Sequence, residues 1–209
     1  MAEPGARRVV AAFDFDGTLS RGDSLVPFLR RLCGDAAVLR AVVTRLPILL
    51  AAGAGRVSRG RAKEALLVGL IAGRPLAEVE PVAEEFAHRL LATGMFPPGL
   101  ERLEWHRARG DQLAIVSAAP QLYLEPLGSA LGVDAVLSTG LDVDAAGRLT
   151  GRLLGGNVRG PVKVERLDRW LGTDPAELWA YGNSDGDREM LARADHGFLR
   201  RGGGFPPVT

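Results

Sequence analysis

Two carboxylates one residue apart, Asp14 and Asp16 in "VVAAFDFDGTLS", stand where an apolar run stops and Gly17 and Thr18 follow. Acids at i and i+2 after a strand turn toward one point only if the chain leaves β geometry there, and Gly17 permits that turn. Asp14 is then placed to attack while Asp16 handles a proton. A carboxylate is a weak nucleophile toward a phosphate ester, because both are anions, so the pair asks for a cation to screen the repulsion. Mg²⁺ suits an all-oxygen site with one or two carboxylates and several waters. Taken alone, the stretch also reads as a strand end closed by an Asx turn.

Three further stretches bear on that choice. Ser117 ends "LAIVS" and precedes "AAP", so its hydroxyl and the following NH groups face a helix amino end, a place that binds phosphate oxygens and equally a place for a plain N-cap. Lys163 follows "GGNVRGP", just inside a helix that Pro161 opens. Of 26 basic residues only Lys63 and Lys163 are lysine. Where nearly every basic position has become arginine, an ammonium at 163 indicates a compact site with no room for a guanidinium fork. "YGNSDGDREML" carries Asn183, Asp185 and Asp187 in a Gly-containing turn, oxygen donors for a hard cation. Paired acids, a hydroxyl, an ammonium and an oxygen-rich turn are the inventory for phosphoryl transfer to a carboxylate.

The elements that must position these groups are buried strands alternating with helices. Residues 9–13, 112–116, 133–137, 178–181 and 196–199 read as strands, with helices over 98–109, 121–131 and 187–194. That alternation implies an α/β fold, a parallel sheet flanked by helices, with functional groups at the carboxyl ends of its strands. About 95 residues separate the first strand from the second, against about 30 for a plain crossover. The excess reads as helical at 24–32, 35–52, 61–72 and 75–91, a helical cap over residues 22–94 on a core of residues 1–21 and 95–209. Residues 137–154 alternate around Ala145 to Gly147 and suggest a β-hairpin flap.

Composition excludes several classes. Apolar residues make up 46% of the 209 and charged residues 24%, the balance of an ordinary globular chain, and a net charge of +1 offers no field for nucleic acid. The single cysteine, Cys33, forms no internal disulfide, no signal h-region precedes Asp14, and a cytoplasmic setting is expected. The apolar segment 36–53 is interrupted by Arg40, Arg45 and Pro47, which favours a buried cap helix over membrane contact. The end, "RRGGGFPPVT", reads as a partly ordered tail. His88, His106 and His196 show no ligand spacing and receive no role.

The four stretches "DFDGTLS", "IVSAA", "PVK" and "GNSDGDREML", in that order and spanning almost the whole chain, resemble the four motifs of the haloacid dehalogenase superfamily. The helical insertion after the first motif is similar to the cap of its subfamily IB, the phosphoserine phosphatase-like group. The resemblance implies a Rossmann-like sheet and a Mg²⁺-dependent phosphatase acting on a small phosphorylated metabolite. It makes Asp14 the nucleophile that becomes an aspartyl phosphate and Asp16 the acid that protonates the leaving oxygen, then activates water. It gives Mg²⁺ to Asp14, the Asp16 backbone carbonyl and Asn183, with Asp187 behind. It gives the phosphoryl oxygens to Ser117 and Lys163 with the NH groups of Gly17 and Ala118. Asp23 falls where phosphoserine-specific relatives carry a longer Glu, and Asn183 where they carry Asp, with Asp185 as the alternative that restores the charge. Arg56, Arg59, Arg61 and Lys63 begin or precede a cap helix, and read either as a solvated charged face or as cations turned to the leaving group. The alternatives are a phosphoserine phosphatase proper and a regulatory protein that accepts phosphate with little turnover.

Overall fold

The computed structural model describes residues 8–206. Residues 1–7 and 207–209, which the expected core also includes, lie outside the described residues. Six strands form one sheet: β1 (Arg8–Phe13), β2 (Gln112–Pro120), β3 (Ala135–Val143), β4 (Leu149–Leu154), β5 (Ala176–Gly182) and β6 (His196–Leu199), in the order β4-β3-β2-β1-β5-β6. Every pairing is parallel except β3 with β4, which is antiparallel at one edge. The fold is α/β, a mostly parallel sheet flanked by helices. A parallel sheet needs apolar residues on both faces. β1 supplies them by alternation: Val10 and Ala12 join one buried cluster with Leu167 and Met190, whereas Ala11 and Phe13 join the other with Tyr123 and Leu127.

Between β1 and β2 lie α1 (Leu25–Cys33), α2 (Asp35–Thr44), α3 (Leu46–Gly53), α4 (Arg59–Ile71), α5 (Leu76–Arg89), a π-helical turn (Leu90–Gly94) and α6 (Pro97–Ala108). After β2 come α7 (Gln121–Leu131), α8 (Pro161–Leu171) and α9 (Arg188–Arg193). The two ends of the inserted helices run side by side: Ser20 bridges Met95, Arg21 N donates to Gly94 O at 2.8 Å, and Phe96 N to Leu19 O at 2.8 Å. Phe28 of α1 and Phe86 of α5 close on the ring of Tyr123 at 5.0 and 5.2 Å, so the inserted helices share the core of one sheet face. The Tyr123 hydroxyl meets Ser24 Oγ at 2.8 Å inside that contact.

Three expectations change. The single buried helix over 35–52 is two helices, α2 and α3, bent by 70° at Arg45, whose guanidinium turns back to Ala65 O at 2.5 Å. None of the α3 residues is buried. The third strand does not stop at 137 but runs on to Val143 as one arm of the hairpin, whose other arm lies on α4. Gly151 makes that approach possible: with φ +79° and a Cβ that would sit 2.5 Å from Val68 Cα, no side chain fits. Leu153 N then donates to Glu64 at 2.9 Å. The described part of the expected tail is tied down, because Phe205 packs on the Tyr181 ring at 5.2 Å and Arg102 donates to Pro206 O at 2.8 Å.

Candidate active site

β1 lies between β2 and β5, so the residues that follow their carboxyl ends converge. Asp14 N donates to Tyr181 O at 2.9 Å, the last rung before the chain turns. The turn then winds around one carbonyl: Phe15 O accepts from Thr18, Leu19 and Ser20 N at 3.1, 3.0 and 2.9 Å. Gly17, at φ +79°, is the hinge, and a Cβ there would lie 2.0 Å from Asn183 Nδ2. Asp14 is buried inside this turn, with Lys163 Nζ donating to Oδ1 at 2.6 Å and Thr18 Oγ1 to Oδ2 at 3.2 Å. Burial raises the Asp14 carboxyl above its ordinary value against the pull of Lys163, and the nearby Asp187 charge raises it further.

Lys163 is 2% exposed and stands between two acids, its Nζ also donating to Asp187 Oδ1 at 2.6 Å. Asp187 Oδ2 takes Asn183 N, Ser184 N and Ser184 Oγ at 3.1, 2.9 and 3.0 Å. Burial pushes the Asp187 carboxyl up, but Lys163 and the donors from Ser184 and Asn183 outweigh it, and its pKa falls below the ordinary value. One ammonium thus favours two carboxylates unequally, since Asp187 has the extra donors and Asp14 has Asp187 for a neighbour.

Asp16 sits on the outer side of the turn, where Ser24 N donates to Oδ1 at 3.0 Å. Burial pushes its carboxyl up to about 7, opposed by the Ser24 bonds and aided by the charges of Asp23 and Asp14. A carboxyl near 7 is matched to giving and taking protons at neutral pH. Ser117 Oγ, buried, accepts Ala119 N at 3.1 Å, and among the described residues no acceptor takes its hydroxyl proton. From the inserted helices Lys63 reaches Ala118 O, with Asn157 Oδ1 at 3.4 Å. Burial brings the Lys63 ammonium down to about 8, against the opposing pull of Asp16 and Asp23. A cleft of about 140 Å³ opens here, lined by Asp16, Asp23, Lys63, Ala118, Asn157 and Arg159 among others. On the other side of Asp16 a second opening of about 500 Å³ is lined by Gly17, Arg21, Asn183 and Arg200.

Among the described residues no group of three His, Cys, Asp or Glu side chains forms a ready metal cluster. The donors at this turn are nonetheless oxygen-rich: the Asp14 carboxylate and the Asp16 main chain, with the Asn183 amide lying against Gly17. Two carboxylates, Asp14 and Asp187, share the single ammonium of Lys163, a charge excess that a hard divalent ion with retained waters fits.

A family model described as haloacid dehalogenase-like hydrolase matches residues 11–192, a span that holds all of these groups except Arg200. The chain belongs to that family. This haloacid dehalogenase-like hydrolase is 36% identical over 193 residues to Protein CicA of Caulobacter vibrioides, covering 92% of this chain and 86% of that one. It is 28% identical over 192 residues to phosphoserine phosphatase SerB1 of Mycobacterium tuberculosis, covering 87% of this chain and 61% of the relative. Among solved structures, a Bordetella pertussis protein of unknown function overlays with a TM-score of 0.70 at 24% identity, over 90% of this chain and 87% of that one. A substrate-bound phosphoserine phosphatase overlays with a TM-score of 0.60 at 18% identity, over 90% and 84%.

The hydrolase joins Asp14, Lys163, Asp187 and Asn183 by hydrogen bonds, sets Gly17 against the Asn183 side chain and Asp16 on the same turn bonded to Ser24 N, and places Ser117 and Ala118 in the last part of β2. Asp187 enters as the holder of Lys163, and a direct metal bond from it would compete with four hydrogen bonds. Asp185 is turned out to solvent on Arg188 at 3.1 Å, away from the group. Asp23 lies at the cleft mouth, its Oδ1 capping Val26 N at 3.2 Å. Of the four cations Arg56, Arg59, Arg61 and Lys63 on the inserted segment, Lys63 and Arg59 reach the small cleft. Sequence reasoning missed Asn157, Arg159 and Arg200. Asn157 and Arg159 stood in the quoted "GGNVRGP". Arg200 follows β6 directly, so the strand-end rule applied to the last strand finds it. Its guanidinium donates to Gly17 O and stacks 3.8 Å over the Phe96 ring.

Proposed function

We propose that this hydrolase is a phosphomonoesterase that works through an aspartyl phosphate on Asp14 with Mg²⁺, residues 22–94 serving as a cap over a core of 1–21 and 95–209. The observation that supports it most is the division of labour at one turn: a buried carboxylate held by Lys163 at 2.6 Å, and two residues on an acid whose pKa is about 7. Asp14 attacks phosphorus and the ester oxygen departs with the Asp16 proton. Asp16, now a carboxylate, takes a proton from the water that attacks the aspartyl phosphate, and Asp14 is restored. Lys163 holds the Asp14 carboxylate in place and offsets charge on the phosphoryl group, and Ser117 donates its free proton to a phosphoryl oxygen. Asp14, the Asp16 carbonyl and Asn183 would hold Mg²⁺, which when bound would supply screening of the anion-on-anion approach.

The test is release of phosphate from p-nitrophenyl phosphate with Mg²⁺ and with a chelator. Asp14→Asn should lose at least about 10³-fold in kcat, and a wild-type rate from that variant would sink the covalent route. Within this reading phosphoserine is the first substrate to try. The likeness to phosphoserine phosphatase SerB1 supports it, and the small cleft offers both an acid, Asp23, and a cation, Lys63, to a zwitterionic leaving group. Comparable kcat/KM for phosphoserine and for a phosphate ester lacking the amino group would reject that specificity.

A further inference from the structure

The segment expected to be buried is among the least covered in the molecule. α2 exposes Leu39 and Val43, one turn apart, at 65% and 60%, and α3 exposes Leu46 and Leu50, again one turn apart, at 46% and 64%. All eight residues of α3, LPILLAAG, are apolar, and none is buried. A helix apolar all round belongs in a protein core or against lipid, and α3 lies in no core.

Charge says what covers it. From residue 36 to residue 63 the chain has six basic residues and no acidic one, although the whole chain carries only +1. Lys63 turns into the cleft and Arg45 onto Ala65 O. Arg40, Arg56, Arg59 and Arg61 remain exposed, with no ion-pair partner among the described residues. We propose that the bent pair α2–α3 is a docking surface for an anionic lipid bilayer, lying in the plane of the headgroups with its leucines at the acyl boundary and the arginines among lipid phosphates. At 10 and 8 residues neither helix approaches the roughly 20 needed to span a bilayer, whereas two short helices at 70° suit an element lying on one. A second copy of this chain is a poorer occupant, because a two-fold interface sets each patch against itself and the arginines against arginines. Ala52, near the end of α3, and Arg59 line an opening of about 640 Å³, and Arg59 and Arg159 line both this opening and the cleft beside Asp16. Docking therefore sets the mouth of the site at headgroup level. The inference is independent of the phosphatase reading, since binding is measured without turnover.

Co-sedimentation of the full chain with phosphatidylcholine vesicles containing about one part in three of phosphatidylglycerol tests it. Binding should be at least about tenfold weaker to phosphatidylcholine alone, and should fall as salt rises. Leu46→Asp with Leu50→Asp, and separately Arg40→Glu with Arg56→Glu, should each weaken it by about tenfold or more with the far-ultraviolet circular dichroism unchanged. No sedimentation with the anionic vesicles overturns the proposal, and so does equal binding to both vesicle types. A wild-type dimer by light scattering that becomes a monomer on Leu46→Asp with Leu50→Asp also overturns it, for then a second copy covers the face.

Discussion

At the scale of single residues, the site rests on conformations and charges that one substitution exposes. Gly17→Ala must place a methyl at φ +79° and within 2.0 Å of Asn183 Nδ2. A backbone cost of about 1–2 kcal/mol should appear in urea denaturation, and the displaced Asn183 should raise the Mg²⁺ concentration needed for half-maximal activity. Asp16 gives a pH prediction. Its carboxyl is raised from 3.8 to about 7 on folding, so its contribution to stability is complete below 3.8 and is lost as pH rises through about 7. That interval corresponds to about 4 kcal/mol at most. In a chelator the wild type should therefore lose Tm between about pH 4 and pH 8 relative to Asp16→Asn, and parallel curves for the two proteins would refute the shift. The Asp14–Asp16 pair and the Asn183 turn were legible in sequence because each ends an apolar run, and Lys163 because it is one of only two lysines in the chain. Which acid holds Lys163 was not legible, since Asp185 and Asp187 differ only in the direction that the 3₁₀ turn they form (Asp185–Asp187) gives them, one to Arg188 and one inward.

At the scale of elements, periodicity carried the sheet and most helices, and the failures share a cause. The hairpin itself was expected, but its seat on α4, the bend at Arg45 and the anchoring of residues 200–206 all depend on contacts far along the chain: Gly151 on Val68, Arg45 on Ala65 O, Arg200 on Gly17 O. No local pattern encodes those partners. The same kind of contact seats the inserted helices on the sheet, where Phe28, Phe86 and Tyr123 form one aromatic cluster. Phe28→Ala should destabilise the protein by about 3–5 kcal/mol in urea, with a rise in KM if the helices serve as a cap. Loss of stability with an unchanged KM would deny them that function. Tyr123→Phe, which removes only the 2.8 Å bond to Ser24, should cost about 1 kcal/mol.

At the scale of the whole molecule, the near-neutral net charge conceals a sharp division. The buried acids converge on Lys163 while the uncompensated arginines gather on α2 to α4. Lys163→Met should leave two carboxylates without their cation and cost about 3–5 kcal/mol, seen as a drop in Tm that added Mg²⁺ partly restores. A variant as stable as wild type in chelator would show that the ammonium is not what holds the pair. The distribution of basic side chains has a consequence for labelling. Apart from the α-amino group, this chain offers an acylating reagent two amines, and one of them, Lys63, lines the cleft. Lys163 is sealed between Asp14 and Asp187, whereas Lys63, with its pKa near 8, carries more free amine at neutral pH than an ordinary lysine. One added acyl mass, slowed by whatever fills the cleft, turns ligand occupancy into a reading on a mass spectrometer, with no turnover required.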